Sequence, residues 1–422
     1  MEVISKASNP SIMNTASATP LARVNLRTPD VMARVQEQVE THYQSEIVDG
    51  LRKRGGEMEI DGLTVRLAKQ FGFCYGVERA IDLAYAAHKV FNNRRLFILG
   101  EIIHNPEVNR QIREMGIVNI LDQSCQVIPE SLTPDDVVIV PAFGTEVNTM
   151  KIIRQIGCQI VDTTCGDVMS VWKRVRQYAN EDMTSIIHGK ASHEETKATA
   201  SRANSEGKGH YLIVLTLQET DVVCDYIERG GDKALFLKRF KGAYSEGFDP
   251  DLHLKRVGVA NQTTMLRGET EEVQRRIAAA IQRRDGESGG ANFRFFDTIC
   301  GATQERQDAL KSMLAQQMDL LLVVGGYNSS NTSHLAEMGQ EQLPTYFIRN
   351  AEKLESSEKI VHYDLHKKAE VEAVNWLPAG RKTVGITAGA SCPNNLIEDT
   401  IVRLYELHGT QKHRILEAAT SA

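Results

Sequence analysis

The sequence predicts an α/β protein in which one local design occurs three times. Strand-like and helix-like segments alternate from Leu63 onwards, as is typical of parallel sheets with crossover helices. Three of the strand-like runs lead to a cysteine, and each of these cysteines, Cys74, Cys165 and Cys300, opens a helix-like run. We therefore expect each thiol at the carboxyl edge of a small sheet, where open α/β folds bind their ligands.

The chain before the first of these runs has two parts. Residues 1–28 are rich in Ser and Thr and contain one acid, a composition that predicts a disordered tail and also resembles a transit peptide. Thr28-Pro29 predicts a helix cap and first turn, and Gly55-Gly56 predicts the end of a single helix. We expect residues 29–62 to form an N-terminal helical extension.

The approach to each cysteine predicts a strand. The segments are 63–67, 160–164 and 295–299, and the last two share the pattern Asp-Thr-x-Cys. After each cysteine the apolar period changes from two to about 3.6 residues, which predicts a helix. The dipole of that helix favours a thiolate at its amino end.

Further short apolar runs predict the other strands. They are 96–99, 137–140, 185–187, 212–215, 257–260, 320–324 and 383–387. Several end in small polar loops whose N–H groups and hydroxyls suit an anion, at 141–144, 188–190, 325–331 and 388–391. Neither a Walker loop nor a Gly-x-Gly-x-x-Gly after a strand is present, so a small anion is favoured over a nucleotide.

Composition excludes several classes of protein. With 422 residues, of which 41% are hydrophobic, the chain can bury a large core divided into two to four lobes. A net charge of -6 and the lack of a recognition motif argue against nucleic-acid binding. No apolar run approaches the roughly 18 residues that span a bilayer, so we expect a water-soluble protein without a membrane anchor.

The seven cysteines indicate a reducing compartment, because their number is odd and no Cys-x-x-Cys pair is present. We expect a cytoplasmic protein, with the plastid stroma as the alternative if the tail is a transit peptide. Cys125, Cys158, Cys224 and Cys392 are interpreted as small buried hydrophobes.

The three repeated cysteines support a metal hypothesis. If they converge, three soft thiolates can bind zinc or an iron–sulfur cluster and leave one metal position open for a substrate. Their wide spacing argues against a structural zinc site, which normally uses closely paired ligands. The competing interpretation is three unrelated core cysteines.

Eight motifs occur in an order that resembles the 4-hydroxy-3-methylbut-2-enyl diphosphate reductase family. They lie at 70–80, 101–106, 162–165, 193–196, 261–264, 298–307, 323–333 and 387–391. The resemblance covers residues 63–405, and the motifs are specific as a set although each one alone is weak. The leading helix and the segment 375–378 resemble the branch found in cyanobacteria and plastids.

The resemblance implies three α/β lobes in pseudo-threefold arrangement around a central iron–sulfur cavity. We place them at 63–163, 164–297 and 298–408, with a C-terminal tail at 409–422 and the alternative that 63–73 joins the third lobe's sheet. It also implies a [4Fe-4S] cluster held by Cys74, Cys165 and Cys300. The implied reaction is reductive dehydroxylation of an allylic diphosphate to isopentenyl diphosphate and dimethylallyl diphosphate, the last step of the non-mevalonate isoprenoid pathway.

The resemblance also assigns site residues. Glu195 is the expected proton donor, because loss of hydroxide from carbon needs a nearby acid, and Thr263 and His193 are expected to assist it. The expected substrate-binding residues are hydrogen-bond donors without a Lys or Arg among them: His104, His193, Thr263, Ser329, Ser330, Asn331 and Ser391. Taken alone, Glu195 would be interpreted as a surface charge and residues 329–331 as a helix cap.

One position departs from the family pattern. Many members carry an Ala-His-Gly loop where this chain has Ala142-Phe143-Gly144, and a phenylalanine cannot donate to a phosphate oxygen. We therefore expect a remodelled diphosphate pocket. His188 and Lys190 are candidates to compensate, although His188 alone would be interpreted as a structural histidine at a strand end.

The reaction implies an outside electron donor, for which reduced ferredoxin or flavodoxin is expected; the sequence indicates no oligomeric state. Three alternatives use the same cysteines. They are a three-cysteine iron–sulfur dehydratase or synthase, a noncatalytic iron–sulfur redox sensor, and an enzyme with a cysteine nucleophile that needs no iron.

Overall fold

The computed structural model describes residues 25–121, 131–204, 209–377 and 380–420. They form an α/β protein with three small sheets and a separate hairpin, which confirms the predicted fold class. Within these ranges, no helix is both long and apolar enough to cross a membrane. The predicted tail up to residue 24, Cys125 and Pro378 lie outside the described residues.

The first lobe contains a four-stranded parallel sheet with the order β4-β3-β5-β6. Its strands are β3 (Leu96–Ile98), β4 (Ile117–Asn119), β5 (Val137–Val140) and β6 (Gln159–Asp162). Its helices are α3 (Tyr75–Val90), α4 (Pro106–Glu114) and α5 (Val147–Ile156). The central strand β5 consists of buried β-branched residues, as expected for a parallel sheet covered on both faces.

The second lobe repeats this plan with the order β10-β9-β7-β8. Its strands are β7 (Thr184–His188), β8 (Tyr211–Val214), β9 (Val257–Asn261) and β10 (Phe293–Phe295). Its helices are α6 (Gly166–Asn180), α7 (Glu194–Ala203), α8 (Leu217–Arg229), α9 (Lys233–Arg239), α10 (Pro250–His253) and α11 (Arg267–Asp285).

The third lobe has a five-stranded sheet with the order β1-β2-β15-β11-β12. Its strands are β1 (Glu57–Ile60), β2 (Leu63–Leu67), β11 (Leu320–Val324), β12 (Thr345–Ile348) and β15 (Lys382–Ala388). Its helices are α12 (Gly301–Leu314), α13 (Ser330–Gln340), α14 (Asn394–Leu407) and α15 (Lys412–Thr420). Because β2 pairs in parallel with β15, residues 63–67 belong to this sheet and not to the first lobe.

The N-terminal extension differs from the predicted single helix. It forms α1 (Pro29–Tyr43) and α2 (Glu46–Lys53), followed by β1, which pairs antiparallel with β2. The helix is interrupted because the Ser45 side chain accepts a hydrogen bond from the Val48 N–H and starts a new helix. Leu26, inside the predicted tail, is buried in the first lobe's core.

Two further elements were not predicted. The proposed C-terminal tail contains α15, whose Ile415 and Ala419 are buried in the third lobe's core. Strands β13 (Lys359–Asp364) and β14 (Ala369–Val374) form a separate antiparallel hairpin. Most of the hairpin is not deeply buried, so its sequence lacks the apolar run that marked the core strands.

The contact between α2 and α15 leads to a first prediction. A β-carbon added at Gly50 would lie 2.1 Å from the Ala419 carbonyl oxygen, so Gly50→Ala must push α15 away from α2. We expect the free energy of unfolding to fall by about 1–3 kcal/mol, the usual cost of overpacking. Denaturant unfolding measures this change.

Gly268→Ala is the matched control, because Gly268 also lies in a helix but has nothing within 4 Å of an added β-carbon. It should leave stability unchanged or raise it by up to about 1 kcal/mol. Equal losses in the two variants would contradict the packing explanation.

Candidate functional site

The three repeated cysteines occupy equivalent positions in the structure. Cys74, Cys165 and Cys300 are the N-cap residues of α3, α6 and α12, and all three line one central cavity. Each lobe's strand-to-helix connection therefore contributes one thiol, with the third sheet's strand β2 leading to Cys74. The cysteines are free of disulfides.

Gly76 lets two of these sulfurs approach each other. A β-carbon at this position would lie 2.6 Å from the Cys165 Sγ and 3.9 Å from the Cys74 Sγ. The absence of a side chain here keeps α3 close enough to α6 for both thiols to reach one point. The interpretation as three unrelated core cysteines is therefore wrong for this pair.

The third thiol, Cys300, lies close enough to Cys74 to interact with it electrostatically. Burial, together with a hydrogen bond to the Asp167 carboxylate and the nearby Cys74, raises the pKa of Cys300 to about 12. Burial likewise raises the pKa of Cys165, while N–H groups of α6 oppose the shift. A metal that binds here must displace protons from soft donors, which is the usual linkage in thiolate sites.

A buried arginine ties two of the cysteine segments together. Arg306, 4% exposed, lies one and a half turns after Cys300 and donates hydrogen bonds to the Gly72 carbonyl at 2.6 Å and the Ala302 carbonyl at 2.8 Å. Gly72 immediately precedes the Phe73-Cys74 segment, so this guanidinium fixes the Cys74 loop on the Cys300 helix. Its charge also lies near Cys74 and Cys300.

Glu195 is a fully enclosed carboxyl group and not a surface charge. It lies in the first turn of α7, where Thr263 donates from its N–H to Oε1 at 2.6 Å and from its Oγ1 to Oε2 at 3.0 Å. Burial raises the pKa of Glu195 to about 7, although the hydrogen bonds from Thr263 act in the opposite direction. Near neutral pH the group can therefore both hold and release a proton.

His193 is arranged as a hydrogen-bond donor to the cavity. Its Nδ1 accepts from the Glu195 N–H at 3.2 Å, so the proton of the neutral ring lies on Nε2. Burial, with the nearby His104 as a second cause, lowers the pKa of His193 to about 3, so the ring stays neutral. His104, His193 and Glu194 bring ligand atoms within 4.8 Å, but a protonated Nε2 suits an anion better than a metal ion.

His104 faces the same cavity between two aromatic rings. It stacks on Phe143 with ring centroids 4.5 Å apart at 12°, and His193 meets it edge-on at 4.9 Å. Its Nδ1 contacts the Glu101 carboxylate at 3.0 Å, and its buried Nε2 has no hydrogen-bond partner among the described residues. Phe143 therefore lines the pocket as a packing surface for His104.

The predicted hydroxyl and amide donors of the third lobe also line the cavity. Ser329 caps α13, so the helix-cap interpretation is correct for this residue, and Ser391 donates to the His104 carbonyl at 3.1 Å. The Ser330 hydroxyl accepts from the Gln262 side chain at 3.0 Å. Asn331 accepts from the Ala390 N–H through its Oδ1, which leaves a buried Nδ2 without a partner in the described ranges.

Every residue of the predicted site lies on this cavity, which has a volume of about 110 Å³. His188 and Lys190, the two candidates to compensate for Phe143, do not line the cavity. His188 ends β7, and its Nδ1 lies 2.8 Å from the Thr270 hydroxyl. Burial lowers the pKa of His188 to about 4, as expected for a structural histidine. A larger cleft of about 730 Å³ between α4 and α14 contains none of the predicted site residues.

Sequence reasoning missed some residues that shape the site. Asp167 contacts the Cys300 thiol, Glu101 contacts His104, and Arg306 holds the Cys74 loop. Glu101 and Arg306 lie inside two of the eight motifs, and Asp167 lies two residues after a third. This proximity to the motifs is the sequence signal that could have identified them. The buried Cys158, Cys224 and Cys392 lie apart from the cavity lining, in agreement with their interpretation as hydrophobes.

Comparisons with known proteins give one consistent family. Residues 65–405 match the family model described as LytB protein. A 4-hydroxy-3-methylbut-2-enyl diphosphate reductase of Gloeobacter violaceus is 49% identical over 89% of this chain and 91% of its own length. The reductase of the same name from Thermosynechococcus vestitus is 46% identical over 88% of this chain and 92% of its own length.

Solved structures agree with the sequence comparison. A structure of (E)-4-hydroxy-3-methyl-but-2-enyl diphosphate reductase matches with a TM-score of 0.50 and 26% identity, over 81% of this chain and 99% of its own. The Plasmodium falciparum structure of the E-1-hydroxy-2-methyl-but-2-enyl-4-diphosphate reductase has a TM-score of 0.58 at 21% identity, over 80% of this chain and 86% of its own. The second match bears on the fold alone.

The position of Gly76 leads to a second prediction. Gly76→Ala should displace the Cys165 sulfur and weaken the joint binding of a thiophilic metal by about tenfold or more, because the ligand set no longer closes. Titration of the anaerobic metal-free protein with Cd²⁺, followed by thiolate charge-transfer absorption, measures the affinity.

Gly166→Ala is the control, since Gly166 directly follows Cys165 but has nothing within 4 Å of an added β-carbon. It should bind Cd²⁺ like the unchanged protein. If Gly76→Ala also bound the metal normally, the two sulfurs would not share a ligand point.

Proposed function

The chain belongs to the LytB protein family, and from this premise we propose that it converts 4-hydroxy-3-methylbut-2-enyl diphosphate to isopentenyl and dimethylallyl diphosphate by reductive removal of the hydroxyl group. This reaction is the last step of the non-mevalonate isoprenoid pathway. One observation carries the proposal: a single cavity joins three thiols from three helix N-termini, one enclosed carboxyl group and a set of neutral phosphate-binding donors.

The donor set fits an iron–sulfur cluster, which we propose to be [4Fe-4S]. Cys74, Cys165 and Cys300 supply three soft ligands, and no fourth cysteine of the described residues lines the cavity. Such a set leaves one metal position without a protein ligand. When bound, the cluster would supply electrons singly and a Lewis-acidic iron for the substrate's hydroxyl group.

The diphosphate would be held by neutral donors. His193 offers its Nε2–H, Asn331 its unpartnered Nδ2, and Ser329 and Ser330 their hydroxyl groups. The Ser391 hydroxyl would donate as well once it turns away from the His104 carbonyl. Ser329 and Ser330 also begin α13, so N–H groups of that helix terminus add to the anion site. Neutral donors suffice because hydrogen bonds strengthen in an enclosed site of low dielectric.

Proton delivery is assigned to Glu195. Its protonated carboxyl group would give a proton to the departing hydroxyl oxygen, which leaves as water, with the Thr263 hydroxyl in position to relay that proton. Two electrons and two protons enter in total: one proton joins the hydroxyl and the second joins the allylic carbon skeleton. The backbone N–H of Thr263 stabilises the carboxylate that remains on Glu195.

The reaction needs an outside source of electrons. The sequence contains no dinucleotide-binding fingerprint, so it does not indicate a nicotinamide cofactor in this role. Reduced ferredoxin or flavodoxin remains the predicted donor. A cytoplasmic location, with the plastid stroma as the alternative, also stays a prediction.

The proposal is tested by anaerobic turnover of the allylic diphosphate with an artificial reductant, together with iron and sulfide quantification. We expect one cluster per chain and formation of both isoprenoid diphosphates. A colourless protein without iron would favour a cysteine nucleophile instead. A protein that binds iron but releases other products would favour a dehydratase or synthase.

Glu195→Gln provides a third prediction. The amide keeps the shape of the side chain but cannot give up a proton, so turnover should fall by about 100-fold or more while the iron content stays normal. Steady-state kinetics with an artificial reductant measures this loss.

The adjacent Glu194→Gln is the matched control, because Glu194 is 53% exposed and has no hydrogen bond to Thr263. Its turnover should remain close to normal. Near-normal turnover of Glu195→Gln would remove Glu195 from the proton pathway.

The raised pKa of Glu195 gives a fourth prediction, on pH dependence. The acid form delivers the proton, and this form is lost as the pH rises through the folded-state pKa of about 7. The single-turnover rate should therefore be level below pH 7 and fall by up to about tenfold per pH unit above it. Single-turnover kinetics between pH 5.5 and about 9 test this sign; a rate that rises with pH would contradict it.

A further inference from the structure

Glu101 joins the first and third lobes at the edge of the cavity. It lies in the loop between β3 and α4, and its side chain is 35% exposed. Its Oε2 accepts from the Asn328 Nδ2 at 2.8 Å and contacts the His104 Nδ1 at 3.0 Å. Neither Glu101 nor Asn328 lines the cavity itself, so both would act on a ligand only through His104.

The carboxylate determines what His104 presents to the cavity. Both partners lie on the Nδ1 edge of the ring, with the Glu101 Oε2 at 3.0 Å and the Asn328 Nδ2 at 3.2 Å from Nδ1. Nε2 is then the nitrogen left for a ligand, and it is buried without a hydrogen-bond partner in the described ranges. Nε2 is therefore the ring nitrogen that would meet a phosphate oxygen.

We propose that Glu101, held by Asn328, is a positioning residue that directs the Nε2 of His104 at the substrate's diphosphate. The inference rests on the proposed function and adds a residue that orients one wall of its diphosphate site. Among the described residues no Lys or Arg lines the cavity, so the orientation of the groups that do line it, His104 among them, decides how the anion is met.

The other groups around His104 hold the ring in the same place. Phe143 covers one face of it, and Ser391 donates to its backbone carbonyl. Gly326 packs against that carbonyl, because an added β-carbon would lie 2.4 Å from the oxygen. With the backbone and the ring plane fixed, the Nδ1 contact to Glu101 selects which edge of the ring faces the cavity.

Glu194 is the second carboxylate near this ring, and its expected effect has the opposite sign. Its Oε2 lies 3.6 Å from the His104 Nε2, beyond hydrogen-bond distance, and its side chain is 53% exposed. A diphosphate at Nε2 must approach this negative charge. His193, the remaining titratable group that faces His104, stays neutral because burial lowers its pKa to about 3.

The test uses the anaerobically prepared full-length protein and inorganic diphosphate as the probe, with affinity measured by calorimetry. Glu101→Ala should weaken diphosphate binding by about tenfold, the size expected for a charge-assisted hydrogen bond. In turnover, KM should rise by a similar factor while kcat changes by less than about twofold. Glu101→Gln keeps the shape of the side chain without its charge and should lose part of this affinity, which covers the case that Glu101→Ala does not fold.

Glu194→Gln is the matched control on the opposite ring nitrogen and should bind diphosphate equally well or more tightly. The decisive step is a double-mutant cycle: in a His104→Ala background, Glu101→Ala should cause no further loss, because Glu101 acts only through this ring. Additive losses, a loss confined to kcat, or unchanged binding in both Glu101 variants would overturn the inference.

The outcome separates this inference from the proposed function. Normal turnover of the unchanged protein together with unaffected Glu101 variants would reject the positioning role alone. Diphosphate binding that depends on Glu101 in a protein that forms neither isoprenoid diphosphate would reject the reaction and retain the anion site.

Discussion

The convergence of three helix N-termini on one cavity is the constraint on which the rest of the structure depends. Helices α3, α6 and α12 each begin at a cysteine, so three partial positive charges and three thiols face the same cavity. An anion stabilises such an arrangement, and a thiolate-bound metal cluster would provide one. The helices approach each other closely for two reasons. Gly76 has no side chain to separate the Cys74 and Cys165 sulfurs, and Arg306 of the Cys300 helix donates a hydrogen bond to the loop that carries Cys74.

The same constraint places the acid and the phosphate donors. Helix α7 packs on α6, and Arg202 of α7 lies 3.3 Å over the Trp172 ring of α6 while it donates to the Thr145 carbonyl. Gly144 leaves room for that ring, since an added β-carbon would lie 2.3 Å from it. The loop that carries Phe143 and the helix that carries Glu195 are thus held against the Cys165 helix, and the acid reaches the cavity without contact with bulk water.

Much of this arrangement could be predicted from the sequence, because the signals are local. The runs that became β5, β7, β9, β11 and β15 are mostly buried and contain short apolar segments, and the motifs around the cysteines indicate the family. The break at Ser45 was missed because helical spacing continues across it and only the Ser45 cap hydrogen bond marks the start of α2. The pairing of β2 with β15, the packing of α15 on α2, and the contact of Glu101 with His104 join distant segments, which no local pattern records.

We propose that three lobes hold one iron–sulfur cluster with a single open metal position. Mössbauer spectroscopy of the ⁵⁷Fe-labelled protein, prepared without oxygen, tests this proposal. We expect one cluster per chain in which one iron differs from the other three and changes when the allylic diphosphate is added. Equivalent irons that do not respond to the substrate, or no cluster at all, would contradict it.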